Sequence, residues 1–301
     1  MVSKNSKILK EIKSVAVHDG SFHPDDVFSV AILQMIYPKI KIVRTRDEKL
    51  LKKVTARVDV GLKYNPKTLD FDHHQSDGPQ RDTGLPYASV GLVWRHFGMH
   101  LIDTDDEFKY IDDKLIKGID AEDNGIKIVE NIGKVSSYTL YQIIYSFNPH
   151  WTDRTKNYDK SFLKAVKFAK TVLKSEIKYA KSQKDAIKIL QSAVNNSKGD
   201  YVVLSKSCPW KHFLVEKSNK KYVIYHNSAN ESWYVSGVPI KMDSFQIRKN
   251  FPKTWAGLTG KDLVKVTGVK TAVFCHKNLF LCATKTKEDA IKIAEIALKS
   301  K

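Results

Sequence analysis

Four short apolar runs, each closing on an ionisable side chain, set the tightest limit on what this chain can fold into. "SVAV" (14–17), "IKIVRT" (40–45), "TARVDVG" (55–61) and "LDF" (69–71) are strand-like, and "DDVFSVAILQMIY" between the first two carries a helical period. Near-continuous apolar strands separated by helices predict an α/β domain with a mainly parallel sheet flanked by helices. Ligands of such sheets collect beyond the carboxyl ends of the strands. The chain delivers His18, Arg44 with Arg46, Asp59 and Asp72 to those ends.

Beyond the fourth run, "YASVGLVWRHFG" predicts an amphipathic helix ended by Gly98, and "DEFKYIDDKLIKGIDAEDNG" a second helix with Asp120 and Asp123 near its end. A long helical pattern covers 151 to about 194. Its lysines at 160, 164, 167, 170, 174, 178, 181, 184 and 188 advance in steps of three and four, opposite an apolar stripe of Leu163, Val166, Leu173, Ile177 and Ala180. The lysine row would be about 40 Å long, and it reads either as a solvated face or as a groove that tracks a nucleic-acid backbone. "NNSKGD" (195–200) marks a boundary. Past it, "YVVLSKSCPW", "HFLVEKS", "KYVIYHNS" and "SWYVSGVPI" predict four strands at hairpin spacing, with "TAVFCH" and a helix at "KEDAIKIAEIALKS" after them. The expected organisation is a catalytic domain over 1–150, a connecting helix over 151–197, and a smaller α+β substrate-binding domain over 198–301. Trp210, Trp233 and Trp255 in the last part are either core or base-stacking surfaces.

Fifty-one Lys and Arg against thirty-three Asp and Glu leave a formal charge of +18, which draws a protein toward polyanions unless it merely reflects a lysine-rich proteome. Three cysteines without C-x-x-C spacing exclude a disulfide framework and a zinc-thiolate site, so a reducing, cytoplasmic setting is expected. "MVSKNSKILKEIKS" lacks the apolar stretch of a secretory signal, which leaves organelle targeting open. No run approaches the roughly 18 apolar residues of a membrane helix, so no membrane partner is expected. Oligomeric state is not legible.

"HDGSFHPDD" puts His18, His23, Asp25 and Asp26 within nine residues at a strand-to-helix turn. Any one of them alone reads as a helix cap or a solvated group. Several strand and helix ends bearing His or Asp on one edge are a different matter, because oxygen donors mixed with imidazole suit hard divalent cations and manganese.

The order "HDGSFHPDD", "VRTRD" (43–47), "VDVG" (58–61), "DHHQ" (72–75), "ASVGLVWRHFG" (88–98) and "IDAEDNG" (119–125) resembles the DHH phosphoesterases, and within them the melanocyte-proliferating-gene exonuclease family. "PWK" (209–211), "SFQIRK" (244–249) and "WAGL" (255–258) extend the likeness along the chain. The resemblance implies a DHH-like fold and a phosphodiesterase holding two divalent ions, Mn²⁺ or Mg²⁺, that degrades RNA or short single strands from the 3′ end. By similarity His18, His23 and Asp25 hold the first metal, Asp59 bridges, and His73 with Asp120 completes the second. Asp26 competes with Asp25, and Asp123 with Asp120. His74 would face the scissile phosphate, with Asp72 behind it as orienting partner. Arg44, Arg46, Lys211, Arg248 and His276 are candidates for substrate contact. Family members tend to carry glycines after the late histidine, whereas His276 is followed by "KNLFLCATKT". Two other functions share much of this pattern: a small-molecule phosphohydrolase such as a pyrophosphatase or nucleotide phosphatase, and a non-catalytic nucleic-acid-binding protein.

Overall fold

A computed structural model describes residues 11–130 and 132–300, and the amino-terminal stretch read for targeting lies largely outside them. The chain divides into two compact units, Met1–Lys181 and Ser182–Lys301.

The first unit opens with β1 (Ser14–Val17), α1 (Pro24–Ile36) and β2 (Lys41–Arg44), followed by the short α2 (Glu48–Leu51) and β3 (Ala56–Val58). β4 (Tyr64–Asn65) and β5 (Asp70–Phe71) complete a five-stranded sheet in the order β2-β1-β3-β5-β4. β1, β2, β3 and β5 run parallel, and β4 returns antiparallel at the edge. Since β2 lies on one side of β1 and β3 on the other, the crossover direction reverses between β1 and β3. That reversal opens a crevice at the strand ends. His18 and Asp59 follow the two strands that flank it.

Four further helices follow, α3 (Ser89–Phe97), α4 (Asp105–Ile111), α5 (Lys117–Asp123) and α6 (Leu140–Tyr145); α1 and α3 pack on the strands and on each other, and α5 and α6 pack on α1. α3 ends at Phe97 with Gly98 as its cap, as expected, but the φ of Gly98 is −55° rather than left-handed, and the chain continues through a tight 3₁₀ turn to His100. Gly98 is required for another reason, since a Cβ there would fall 2.7 Å from the Trp94 ring. The segment read as one helix after it is interrupted by a π-helical turn at Asp112–Ile116, which re-phases the face that carries Asp120 and Asp123.

The 38-residue α7 (Tyr158–Asn195) buries Phe162, Ala165, Val166, Ala169, Leu173, Ile177 and Ala180. Leu163, expected in that stripe, is 50% exposed, because Phe162 takes the inward phase and packs edge-on against Phe22. Eight of the nine lysines of the row are exposed; Lys170 is half-buried and donates to Gln34. No helix among the described residues is long and apolar enough to cross a membrane.

In the second unit β6 (Tyr201–Val203), α8 (Lys211–Lys217), β7 (Tyr222–Asn227), β8 (Ser232–Gly237), α9 (Gly260–Thr267), β9 (Ala272–Cys275), β10 (Leu281–Thr284) and α10 (Lys287–Lys299) build a sheet ordered β6-β7-β8-β10-β9. Only the β6–β7 pair is parallel. "HFLVEKS" is helix rather than strand. The Arg248 guanidinium donates to the carbonyls of Leu214, Val215 and Ser218 and so closes the carboxyl end of α8 from 30 or more residues away. The stretch after His276 turns at Leu279, whose φ is +59°, and enters β10, a strand the sequence did not announce. Trp255 is core, at 2% exposure, and Trp210 and Trp233 are partly buried against their own unit.

Candidate metal centre

α3 begins without a side-chain cap of its own. Its free amides are taken by two distant aspartates. Asp25 accepts from the N–H groups of Ser89 and Val90, and Asp120 from those of Ala88 and Gly91. The positive end of the helix stabilises both carboxylates. The approach of Asp120 depends on the missing side chain at Gly91, where a Cβ would lie 2.4 Å and 2.5 Å from its oxygens. Arg81 completes the seat of Asp120, donating to both Asp120 and Asp112 while its guanidinium stacks on Tyr87. This anchoring fixes the end of α5, where Asp123 emerges.

Around the β1–β3 crevice three groups of donor atoms lie within 4.8 Å of one another: His18, Asp26 and Asp59; Asp25, His73 and Asp123; and Asp59, His73 and His74. Nε2 of His18 is 3.3 Å from both Asp26 and Asp59. Nε2 of His73 is 3.1 Å from Asp123, 3.7 Å from Asp59 and 3.8 Å from Asp25. Asp59 belongs to two groups and offers one oxygen to each. Its φ of +53° is the left-handed region, tolerated by Asp better than by most residues, and it turns the carboxylate back over the strand ends.

Asp26 divides its oxygens between structure and site. Oδ1 accepts the His23 N–H at 2.9 Å, while Oδ2, fully buried beside His18, has no hydrogen-bond partner. Nε2 of His73 is likewise buried without an aligned hydrogen bond. Two orphaned atoms of the donor type that divalent cations take, each facing a cluster of further donors, fit metal ions well.

The electrostatics point the same way. Burial opposes a charge on His18, yet contact with Asp59 and the charge of Asp26 outweigh it and hold the pKa up at about 9. Burial, reinforced by Asp59, pushes Asp26 up to about 7, with His18 opposing. Asp25 is driven well above the carboxylate range by burial and then by Asp59 and Asp123. Burial also raises Asp120, to about 6, against the pull of Arg81. Burial lowers His73, but the neighbouring Asp123 and Asp59 carboxylates win and raise it.

The expected residues are therefore sorted differently from the order in which the motifs suggested them. Asp26, not Asp25, stands with His18, and Asp25 stands with His73. Asp123 faces His73, whereas Asp120 serves the α3 amides and Arg81. His23 enters none of the three donor groups. Its ring is 5.9 Å from that of His18, and burial lowers its pKa. Asp72 is 1% exposed and holds His74 through Nδ1 at 2.7 Å, leaving the half-exposed ring facing the cleft. That cleft, of about 1330 Å³, is lined by His18, His23, Asp59, His74, Asp123 and Tyr141 among others. Arg46 lines it too, paired with Asp19. Arg44 does not present a free cation: it lies between the Phe22 and Phe162 rings and donates to Gly20 O and Asp159. Arg248 is spent on carbonyls, and Nδ1 of His276 accepts the Asn278 N–H within its own turn. Lys211 is the exposed first residue of α8. Arg81 and the α6 tyrosines escaped sequence reasoning, since none stands in a pattern that announces a site, and Ser89 and Gly91 stand in the "ASVGLVWRHFG" motif without a role that their residue types reveal.

A family model described as "Uncharacterised protein family (UPF0160)", MYG1 exonuclease, matches residues 14–298. A Caenorhabditis elegans MYG1 protein is 32% identical, over 94% of this chain and 94% of its own length. A Dictyostelium discoideum MYG1 protein is 30% identical, over 93% and 95%. A Mus musculus protein named MYG1 exonuclease is 31% identical, over 94% and 84%. A solved Vibrio pGpG-specific phosphodiesterase overlaps 95% of the chain at 13% identity and a TM-score of 0.33, too slight a likeness to bear on chemistry.

Proposed function

The chain belongs to the MYG1 exonuclease family, a family of phosphodiester-cleaving enzymes by the names of its mammalian members, and from that premise we propose that it is a metal-dependent 3′-to-5′ exonuclease of RNA or short single strands. One observation carries the proposal: Asp59 is shared by two donor groups whose facing atoms, Asp26 Oδ2 and His73 Nε2, are buried among further donors without an aligned hydrogen bond. Two divalent ions, Mn²⁺ or Mg²⁺, would be held by His18, Asp26 and Asp59 on one side and by Asp25, His73 and Asp123 on the other, with Asp59 between. Bound there, they would supply Lewis acidity toward water and toward a phosphate ester.

The protein's own groups do the rest. Asp72 holds His74 through Nδ1 and leaves Nε2 to the cleft, where as an imidazolium the ring would donate its Nε2–H to a phosphate oxygen. The main-chain amides of α3 and the Arg81 guanidinium fix Asp25 and, through Asp120, Asp123, which spares the site reorganisation when a charged substrate arrives. Arg46, Lys52 and Lys63 line the cleft and favour a polyanion. The exposed lysine row of α7 is assigned to substrate binding.

The test is a Mn²⁺-titrated digestion of single-stranded RNA labelled at its 5′ end. A ladder shortening from the 3′ end, abolished by chelator, is expected. Turnover restricted to dinucleotides or pyrophosphate would replace this function with a small-molecule phosphohydrolase, and binding without turnover would leave a non-catalytic protein.

A further inference from the structure

The donor cluster accounts for a phosphate and says nothing about a base. A row of aromatic rings leads away from it. Tyr141 stacks over His23 with centroids 5.7 Å apart and planes 15° apart, and Tyr145 follows Tyr141 at 6.2 Å and 10°. The two tyrosines are i and i+4 on α6 and so share one face of that helix. His23 ties the row to the metal centre through its neighbour His18. Tyr145 is 52% exposed. Tyr141 stands on the wall between the main cleft and a side recess of about 460 Å³ that Lys127, Ser136, Ser137, Thr139 and Gln142 also line. Core aromatics are buried and meet at varied angles, whereas this row stays nearly parallel and runs into solvent.

We propose that Tyr141 and Tyr145 form a stacking platform for the terminal nucleobases of a single-stranded oligonucleotide whose phosphate lies at the metal centre. The inference rests on the phosphodiesterase function proposed above and adds what that site leaves unread. A flat aromatic face accepts any base, which suits an enzyme that removes nucleotides in succession, and stacking of this kind contributes roughly 5- to 150-fold in affinity per base. The hydroxyls of Ser136, Ser137 and Thr139 offer hydrogen bonds at the rim of the recess, where base edges or ribose hydroxyls would pass.

The experiment uses the full-length protein and two single-stranded oligonucleotides, one with 2-aminopurine at its 3′-terminal position and one abasic there. Wild type should quench the 2-aminopurine fluorescence and show a KM at least tenfold lower for the base-bearing strand. Tyr145→Leu, which keeps apolar bulk without a ring, should lose the quench and raise that KM by roughly 5- to 150-fold. Its kcat and its KM for the abasic strand should stay within about threefold, and Tyr145→Phe should behave as wild type. Equal KM values on the two strands, or an unaltered quench in Tyr145→Leu, would overturn the platform. Turnover of neither strand by wild type defeats the phosphodiesterase function instead. The quench then decides the platform alone: present in wild type and lost in Tyr145→Leu upholds it, absent in wild type overturns it.

Discussion

Replacing Asp59 by asparagine isolates the charge on which the metal centre depends. Asparagine keeps the size and tolerates the left-handed backbone at φ +53°, so the fold should survive; alanine would add strain of about 1–2 kcal/mol. In the metal-free protein the Asp59 carboxylate, 3.3 Å from Nε2 of His18, is a main reason that this imidazole resists its own burial and titrates near 9. With a neutral amide there, Asp26 and the Asp19 carbonyl at Nδ1 still favour the imidazolium. The His18 pKa should fall by at least about one pH unit, worth about 1.4 kcal/mol. Since the folded chain holds the His18 proton more tightly than the unfolded one, the stabilisation is complete below about pH 6.5 and is lost as pH rises through about 9. Asp26, raised to about 7, loses its contribution as pH rises toward 7, whereas His73 and Asp25 are raised as well, so the titration of the His18 imidazole itself between pH 7.5 and 9.5 is what reports this residue. Chelator-treated wild type should therefore lose stability across that window and Asp59→Asn should lose measurably less, as read by urea unfolding and by NMR titration of the imidazole. With Mn²⁺ restored, Asp59→Asn should retain less than about one part in a thousand of wild-type turnover, the loss expected when a ligand shared by both ions is neutralised. Wild-type turnover, or a His18 pKa unmoved from about 9, would refute the assignment of Asp59 as the shared ligand.

Other substitutions separate neighbours that the sequence could not. Asp123→Asn should cut turnover at least about 100-fold with little change in melting temperature, whereas Asp120→Asn should cost about 3 kcal/mol in unfolding experiments by leaving Arg81 partly unpaired. Gly91→Ala should displace Asp120, which a new Cβ would approach to 2.4 Å, and weaken Mn²⁺ affinity about 10- to 100-fold in equilibrium titrations. Because His18 must give up its proton to serve as a ligand, and the raised His73, Asp25 and Asp26 any they hold, Mn²⁺ binding at pH 7.5 should release at least about one proton, detected by calorimetry in buffers of different ionisation enthalpy, and affinity should rise at least about tenfold between pH 7.5 and 8.5.

The parallel strands were legible because their apolar runs are short and continuous; "SVAV" became β1 residue for residue. That Asp59, His18 and His73 meet in one crevice was legible because strand ends and motif order place them without any need to know side-chain directions. What failed depended on contacts across the chain. Choosing Asp123 over Asp120 requires knowing that the N–H groups of α3 claim Asp120 and that a π-helical turn shifts the face of α5. Arg44 and Arg248 looked like phosphate ligands because sequence cannot reveal that Phe22 and Phe162, or the carbonyls closing α8, already occupy them. "HFLVEKS" misled because an alternation over four residues fits a strand as well as a helix, and its decisive partner lies beyond residue 240.

The same partners explain how the fold tolerates its own site. Asp25, Asp26, Asp59 and Asp123 crowd one crevice with the imidazoles of His18, His73 and His74 against them, and burial drives Asp25 and Asp26 toward the protonated state. The α3 amides and the His23 N–H hold two of these carboxylates in place without cancelling their mutual repulsion. Divalent cations would cancel it, so metal binding and stability must be coupled. Each Mn²⁺ site filled at about 100 times its dissociation constant should add about 2.7 kcal/mol to unfolding free energy. The gain should be smaller in Asp59→Asn, where both sites lose a shared charge, and nearly intact in Tyr145→Leu, which touches neither donor group. Equal stabilisation of wild type and Asp59→Asn by Mn²⁺ would mean that the ion binds elsewhere and that the crowding of these aspartates has another cause.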